Sequence, residues 1–158
     1  MSHTLRNALA LIGWIIISFS AAATGIIAKP GVWYAALNKP SFNPPNWIFG
    51  PVWTLLYLAM GFAAWRVWIR GGFAAQTRPL GHYIVQLGLN AAWPPIFFAL
   101  HRLDLALLVI LVLWIAIFLT ILQFRTVDQL ASWLLWPYLA WVSFATILNF
   151  SLWHLNRA

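Results

Sequence analysis

Five separated apolar stretches, each long enough to cross a bilayer, take up nearly all of the 158 residues. They run over Ala8–Ile27, Pro51–Ile69, Leu80–Leu100, Leu105–Phe124 and Leu130–Trp153. A helix rises about 1.5 Å per residue, so about 20 residues cross a hydrocarbon core about 30 Å thick. The connections between the stretches are too short to fold alone. The expected fold is therefore an all-α integral membrane bundle of five transmembrane helices, with residues 1–158 as a single domain and a structured loop between helices 1 and 2.

Charge supports this class. Only 7% of the residues are charged, against about 25% in an ordinary water-soluble domain. The net charge of +7 comes from nine Lys and Arg against two acidic residues. Those cations sit at the ends of the apolar stretches, where they suit interfacial anchoring and contact with anionic membrane lipid. No basic face interleaved with aromatic residues is present, which argues against nucleic acid as a partner. With no cysteine in the chain, disulfides and thiolate chemistry are excluded.

Five spans place the N-terminus and the second and fourth connections on one side. That side carries Arg6, Arg66, Arg70, Arg78 and Arg125; the other carries Lys29, Lys39, Arg102 and Arg157. The excess slightly favours a cytoplasmic N-terminus. The first stretch resembles a signal peptide in its Arg6 and Ala21-Ala22-Ala23, but its apolar run is longer than a typical leader core, so it reads as a span.

The first connection, Ala28 to Asn46, reads KPGVWYAALNKPSFNPPN from Lys29. Its four prolines stiffen the path, and Trp33 and Tyr34 carry amphipathic rings. Two readings stand: a loop lying on the headgroups, or a lid folded over the mouth of the bundle. Gly71-Gly72 is expected to break the second helix, with tight turns at His101–Asp104 and Arg125–Gln129.

Catalytic inventories come up nearly empty. Asp104 and Asp128 fall in interface turns on opposite sides, and His3, His82, His101 and His154 lie scattered near helix ends. There is no carboxylate pair, metal-ligand spacing, nucleophile elbow or phosphate loop. Tryptophan is what the chain has in excess, at twelve residues. Trp47, Trp65, Trp68 and Trp153 fit an interfacial belt, whereas Trp53, Trp93, Trp114 and Trp141 lie deeper. Deep aromatic rings either pack a core or line a site for a flat apolar ligand.

Helical phase divides the third stretch. At about 100° per residue, Gly81, Gly88, Ala92 and Ala99 share one small-residue face, and Gln86, Asn90, Trp93 and Phe97 share the opposite one. Small residues permit close helix approach, within one chain or between two. Gln86 and Asn90 are costly against lipid and should point inward, either as interhelical hydrogen-bond partners or as ligand contacts. Trp53, Tyr57, Met60, Ala64 and Trp68 form a matching face on the second stretch; Tyr138, Trp141, Ala145, Leu148, Asn149 and Leu152 form one on the fifth. Pro94-Pro95 and Pro137 are expected to bend their helices.

Three segments then carry a resemblance: WYAALNKPSFNPPNWIFGPVWTLLY over Trp33–Tyr57, QLGLNAAWPPIFF over Gln86–Phe98, and PYLAWVSFATILNF over Pro137–Phe150. In this order they closely resemble the TspO/MBR family of tryptophan-rich sensory and translocator proteins. The resemblance implies a pocket capped by the first connection and, often, a homodimer. It implies membrane receptor or carrier activity toward tetrapyrroles such as protoporphyrin IX and haem, and toward isoquinoline- or benzodiazepine-like drugs. These enter as ligands, and no resident cofactor or metal is implied.

By motif, the family's pocket positions fall on Ala23, Trp53, Asn90, Trp141, Ala145 and Leu148, and its lid positions on Trp33, Tyr34, Pro44 and Pro45. Tyr57, Trp93 and Tyr138 join this set from the polar and aromatic faces. Trp53 and Trp141 also match a tryptophan pair linked to porphyrin degradation, so the alternative is an enzyme that degrades porphyrin with light and oxygen. The animal cholesterol-recognition pattern is broken at Phe150 and His154, and Leu105 stands where animal members often have Trp. A bacterial cell membrane is accordingly expected, with Gly81, Gly88 and Ala92 as candidate dimer contacts.

Overall fold

The computed structural model describes residues 3–157, among which the regular structure is helical and no strand occurs. In chain order the helices are α1 (His3–Ser20), α2 (Ala22–Ile27), α3 (Val32–Ala36), α4 (Phe49–Trp68), α5 (Gly72–Pro94), α6 (Leu103–Arg125), α7 (Gln129–Leu134) and α8 (Trp136–Asn156). Helix is the form in which a long apolar segment satisfies its own backbone donors and acceptors.

Four stretches are long and apolar enough to cross a membrane: His3–Ile27, Asn46–Trp68, Leu103–Arg125 and Gln129–Asn156. These coincide with four of the five expected spans. The third expected span lies on α5, which is long enough but carries Gln76, Thr77, Arg78, His82, Gln86 and Asn90. Its polar groups turn inward: Gln86 and Asn90 are both buried. The side chains that lower its apolarity are thus partly those that build the interior.

Punctuation follows backbone chemistry. Gly71 and Gly72 adopt φ of +125° and +67°, a region open to glycine, and reverse the chain after α4. Pro94 and Pro95 lead into a wide π-type turn over Pro95–Ala99, where the Leu100 amide donates to the Pro95 carbonyl at 2.9 Å. The bend expected at Pro137 is instead a break at Leu135. Pro137 lies in the first turn of α8, where its missing N–H leaves no helical bond unmade.

α5 packs closely on α6, α1 on α4, and α6 on α8. A Cβ on Gly61 of α4 would come within 2.8 Å of the Ile15 Cα, so glycine sets the α1–α4 approach. By contrast α4 and α8 are not among the close pairs; large aromatic side chains span the gap between them. Two apolar clusters result. One runs through the bundle around Met60, Tyr83, Ile117, Phe124 and Tyr138. The other lies toward the first connection around Tyr34, Phe97, Leu103, Leu148 and Leu152, and Trp93 packs against both.

The arginines at the C-terminal end of α4 also have a partner within the bundle. Rather than facing headgroups alone, Arg66 and Arg70 both pair with Asp128, which also caps α7 by accepting from the Ala131 amide at 2.9 Å. The second and fourth connections therefore share one end of the bundle. At the other end, Arg102 pairs with Asp104.

Candidate functional site

α4, α5 and α8 bring four of the expected residues together at the centre. The Trp53 ring lies 5.4 Å from Tyr57 and 6.1 Å from Tyr138, edge-on to the latter. Tyr57 donates its hydroxyl proton to Asn90 Oδ1 at 2.7 Å, and Asn90 Nδ2 donates to the Tyr138 oxygen at 2.8 Å. Tyr138 passes the chain on to Gln86 Oε1 at 2.8 Å. All four members are buried, so each bond replaces water that is not there. Both readings of Gln86 and Asn90 bear on this arrangement, and the hydrogen bonds between helices are in place.

The relay ends on an open valence. Gln86 Nε2 is buried and has no hydrogen-bond partner. A separate polar pair lies close by in sequence, with Tyr83 hydrogen-bonded to Ser18 of α1.

Trp141 is set apart from Trp53. Its ring meets Phe49 edge-on at 5.8 Å and Phe144 at 5.5 Å. It also lines an apolar groove of about 480 Å³ between α4 and α8, with Val52, Leu55, Leu56, Pro137, Ala140 and Phe144. The α4 residues recur at three and four, as do those of α8, so each helix offers one stripe to the groove. Ala145 lies one turn further along α8 from Trp141, partly buried against the main cluster.

Trp93 and Leu148 belong to the end nearer the first connection. Trp93 Nε1 donates to Asn149 Oδ1 at 3.0 Å, and Asn149 Nδ2 donates to the Leu103 carbonyl at 3.0 Å, tying α5, α8 and the start of α6. Ala23 is exposed on α2.

The first connection lies over this end. Trp33 stacks on His101 with ring centroids 4.1 Å apart. Tyr34, only 6% exposed, meets Phe98 edge-on at 5.5 Å and donates to Asn43 Oδ1 at 3.3 Å. Burial pushes the Tyr34 hydroxyl pKa up, with the Asn43 bond acting the other way. Pro44 and Pro45 line a more polar groove of about 510 Å³ together with Tyr34, Lys39 and Asn43. Lys39 does not reach into the bundle; its Nζ donates to the Ala35 and Leu37 carbonyls and sits 4.8 Å above the Tyr34 ring.

One tie has no forerunner in the sequence reading. Asn156, at the end of α8, accepts the Asn38 amide on Oδ1 and donates Nδ2 to the Asn38 carbonyl, both at 2.9 Å. An asparagine near a chain end carries no local signal of such a role. Asp128, expected in an interface turn, likewise carries no local sign of its partner, and only the folded chain brings Arg66 to it.

The family model that matches is that of the TspO/MBR family, over residues 8–154. The translocator protein of Homo sapiens is 48% identical over 127 residues, covering 79% of this chain and 75% of that protein. Protein CrtK of Rhodobacter capsulatus is 44% identical over 140 residues, 86% of each chain. The tryptophan-rich sensory protein of Cereibacter sphaeroides is 42% identical over 135 residues, 85% of this chain and 84% of its own. Motif order, helical architecture and identity over most of the length agree, and this chain belongs to the TspO/MBR family.

Proposed function

We propose that this protein is a membrane receptor or carrier for tetrapyrroles, protoporphyrin IX and haem above all, held against aromatic rings between α4, α5 and α8. One observation carries the reading: Trp53, Tyr57 and Tyr138 cluster behind an apolar groove whose wall includes Trp141. A flat macrocycle is recognised by ring faces and edges more than by charge. The family membership points the same way.

On this reading the whole chain is one domain and five helices cross a bacterial cell membrane. α5 is the fifth, with its polar side chains turned to the bundle. A second copy docks on the face of Gly81, Gly88 and Ala92, where open space surrounds both glycines.

The test is a titration of the purified, detergent-solubilised protein with protoporphyrin IX in the dark, followed by tryptophan quenching. An inert quencher corrects for optical absorption. Saturable one-site quenching is expected, weakened about tenfold by Trp141→Ala, the equivalent of about 1.4 kcal/mol. Linear quenching that is the same in both proteins would mean partitioning without a site.

A further inference from the structure

We propose that the ligand reaches the aromatic site sideways, out of the lipid, through the cleft between α4 and α8, and not through the first connection. The inference rests on the tetrapyrrole-binding reading and adds to it the route and the form of ligand the route admits.

The end covered by the first connection is held shut by independent ties. Asn156 grips both backbone groups of Asn38. Trp33 is stacked on His101, Tyr34 is buried against Phe97 and Phe98, and Lys39 is folded back on its own segment. Pro40, Pro44 and Pro45 restrict the path between these ties. Opening this end requires most of them to break together.

The side is built differently. α4 and α8 are not among the closely packed pairs, and among the described residues no hydrogen bond between their side chains closes the gap. The groove there is lined by Val52, Leu55, Leu56, Pro137, Ala140, Trp141 and Phe144, all apolar. Leu55 is 68% exposed, and Pro137 and Ala140 are exposed as well, so the groove opens on the outer surface of the bundle. In a membrane that surface faces hydrocarbon, where a flat apolar molecule already resides. Trp141 forms the inner wall and contacts only Phe49 and Phe144 among the rings. Its rotation admits a ligand without breaking a backbone hydrogen bond.

No cation lines the groove. An ionised carboxylate is costly at this depth, so the ring enters first, and a neutral ester enters faster than the free diacid.

The absence of cysteine from the chain gives a clean test on the full-length protein in lipid vesicles, with protoporphyrin IX and its dimethyl ester as probes. One variant carries Leu55→Cys and Ala140→Cys, bridged by a bis-methanethiosulfonate; the other carries Asn38→Cys and Asn156→Cys, bridged in the same way. Each bridged protein is compared with its own unbridged form by stopped-flow tryptophan quenching. Bridging the cleft is expected to slow both association and dissociation about tenfold or more, with the ester faster than the diacid before bridging. Bridging the first connection is expected to leave both rates within about twofold. Slowing by the Asn38–Asn156 bridge, with the cleft bridge silent, would overturn the lateral route while leaving the binding site intact. Failure of every unbridged protein to show saturable quenching would remove the binding reading itself, and the route with it.

Discussion

Arg66 holds Asp128 with two prongs of its guanidinium, Nε donating to Oδ1 at 2.9 Å and Nη2 to Oδ2 at 2.8 Å. Arg70 adds a third bond at 3.1 Å, and the Asp128 side chain is only 2% exposed. The geometry is bidentate and nearly dry, unlike the exposed Arg102–Asp104 pair at the other end. Removing Arg66 takes two of the three arginine bonds from this buried carboxylate and leaves Arg70 alone to hold it, a loss of about 1.5–3 kcal/mol. Arg66→Ala should therefore unfold well before the parent in detergent, and Asp104→Ala should not. Equal melting of the two variants would contradict this ranking.

The same pair sets an acid limit. The Arg66 guanidinium, more than Arg70 or the Ala131 amide, draws the Asp128 carboxyl down from 3.8 to about 2 against the opposing effect of burial. A carboxyl whose folded value is depressed stabilises the fold fully above its unfolded value and loses that contribution as pH falls. Stability should be flat in this term above about pH 4 and decline between about 4 and 2. Asp128→Asn should flatten that limb at the cost of lower stability near neutral pH. Thermal melts read by tryptophan fluorescence across this range provide the check.

Asn156→Ala tests the tie on the first connection. The two hydrogen bonds to Asn38, at about 0.5–1.5 kcal/mol each, are lost along with one inside α8 to the Leu152 carbonyl, while the main helices keep their packing. The expected result is faster amide exchange across residues 37–46 with little change in global melting. Exchange identical to the parent would mean that Trp33, Tyr34 and the prolines hold the segment unaided.

How much of this was readable beforehand depended on the distance over which each residue acts. Gly71-Gly72 and the inward turn of Gln86 and Asn90 were legible, because backbone freedom and the cost of polarity in lipid are local properties. The Asn38–Asn156 tie joins residues 118 apart and the Arg66–Asp128 pair residues 62 apart; neither leaves a mark on its neighbours. Pro137 misled for a subtler reason. A proline forbids a helix interior but suits a helix start, and the sequence does not say which of these Pro137 meets. Trp53 and Trp141 were placed on facing stripes, yet their partners in the fold differ: tyrosines for one, phenylalanines and an open groove for the other.

Two glycines should respond in opposite directions to the same change. At Gly61 an added methyl would meet the Ile15 Cα at 2.8 Å. That contact is backbone and can yield only by moving α1 from α4, so Gly61→Ala should cost about 1–3 kcal/mol. Gly88 has nothing within 4 Å of a built Cβ, and alanine is the better helix former by about 1 kcal/mol. Gly88→Ala should therefore raise the melting temperature of the isolated protomer. Loss of stability together with loss of dimer on gel filtration would instead show that this face meets a second copy.

The relay through Tyr57, Asn90, Tyr138 and Gln86 should break unevenly. Tyr57→Phe removes one donor and leaves Asn90 Oδ1 without it. Tyr138→Phe leaves both Asn90 Nδ2 and Gln86 Oε1 without their present partner. Hydrogen bonds between membrane helices average only about 0.6 kcal/mol when measured by double-mutant cycles, so the expected costs are about 0.6 and about 1.2 kcal/mol. Gln86 sharpens the comparison, because its Nε2 is already unpartnered. Once Tyr138 is Phe, Gln86 has no partner at either end, and replacing it with an apolar residue of similar length removes two orphaned groups at once. Gln86→Met should therefore destabilise the parent, by stripping Tyr138 of its acceptor, yet recover stability in the Tyr138→Phe background. Simple additivity of the two substitutions in denaturation of the detergent-solubilised protein would mean that Gln86 and Tyr138 do not act as a pair.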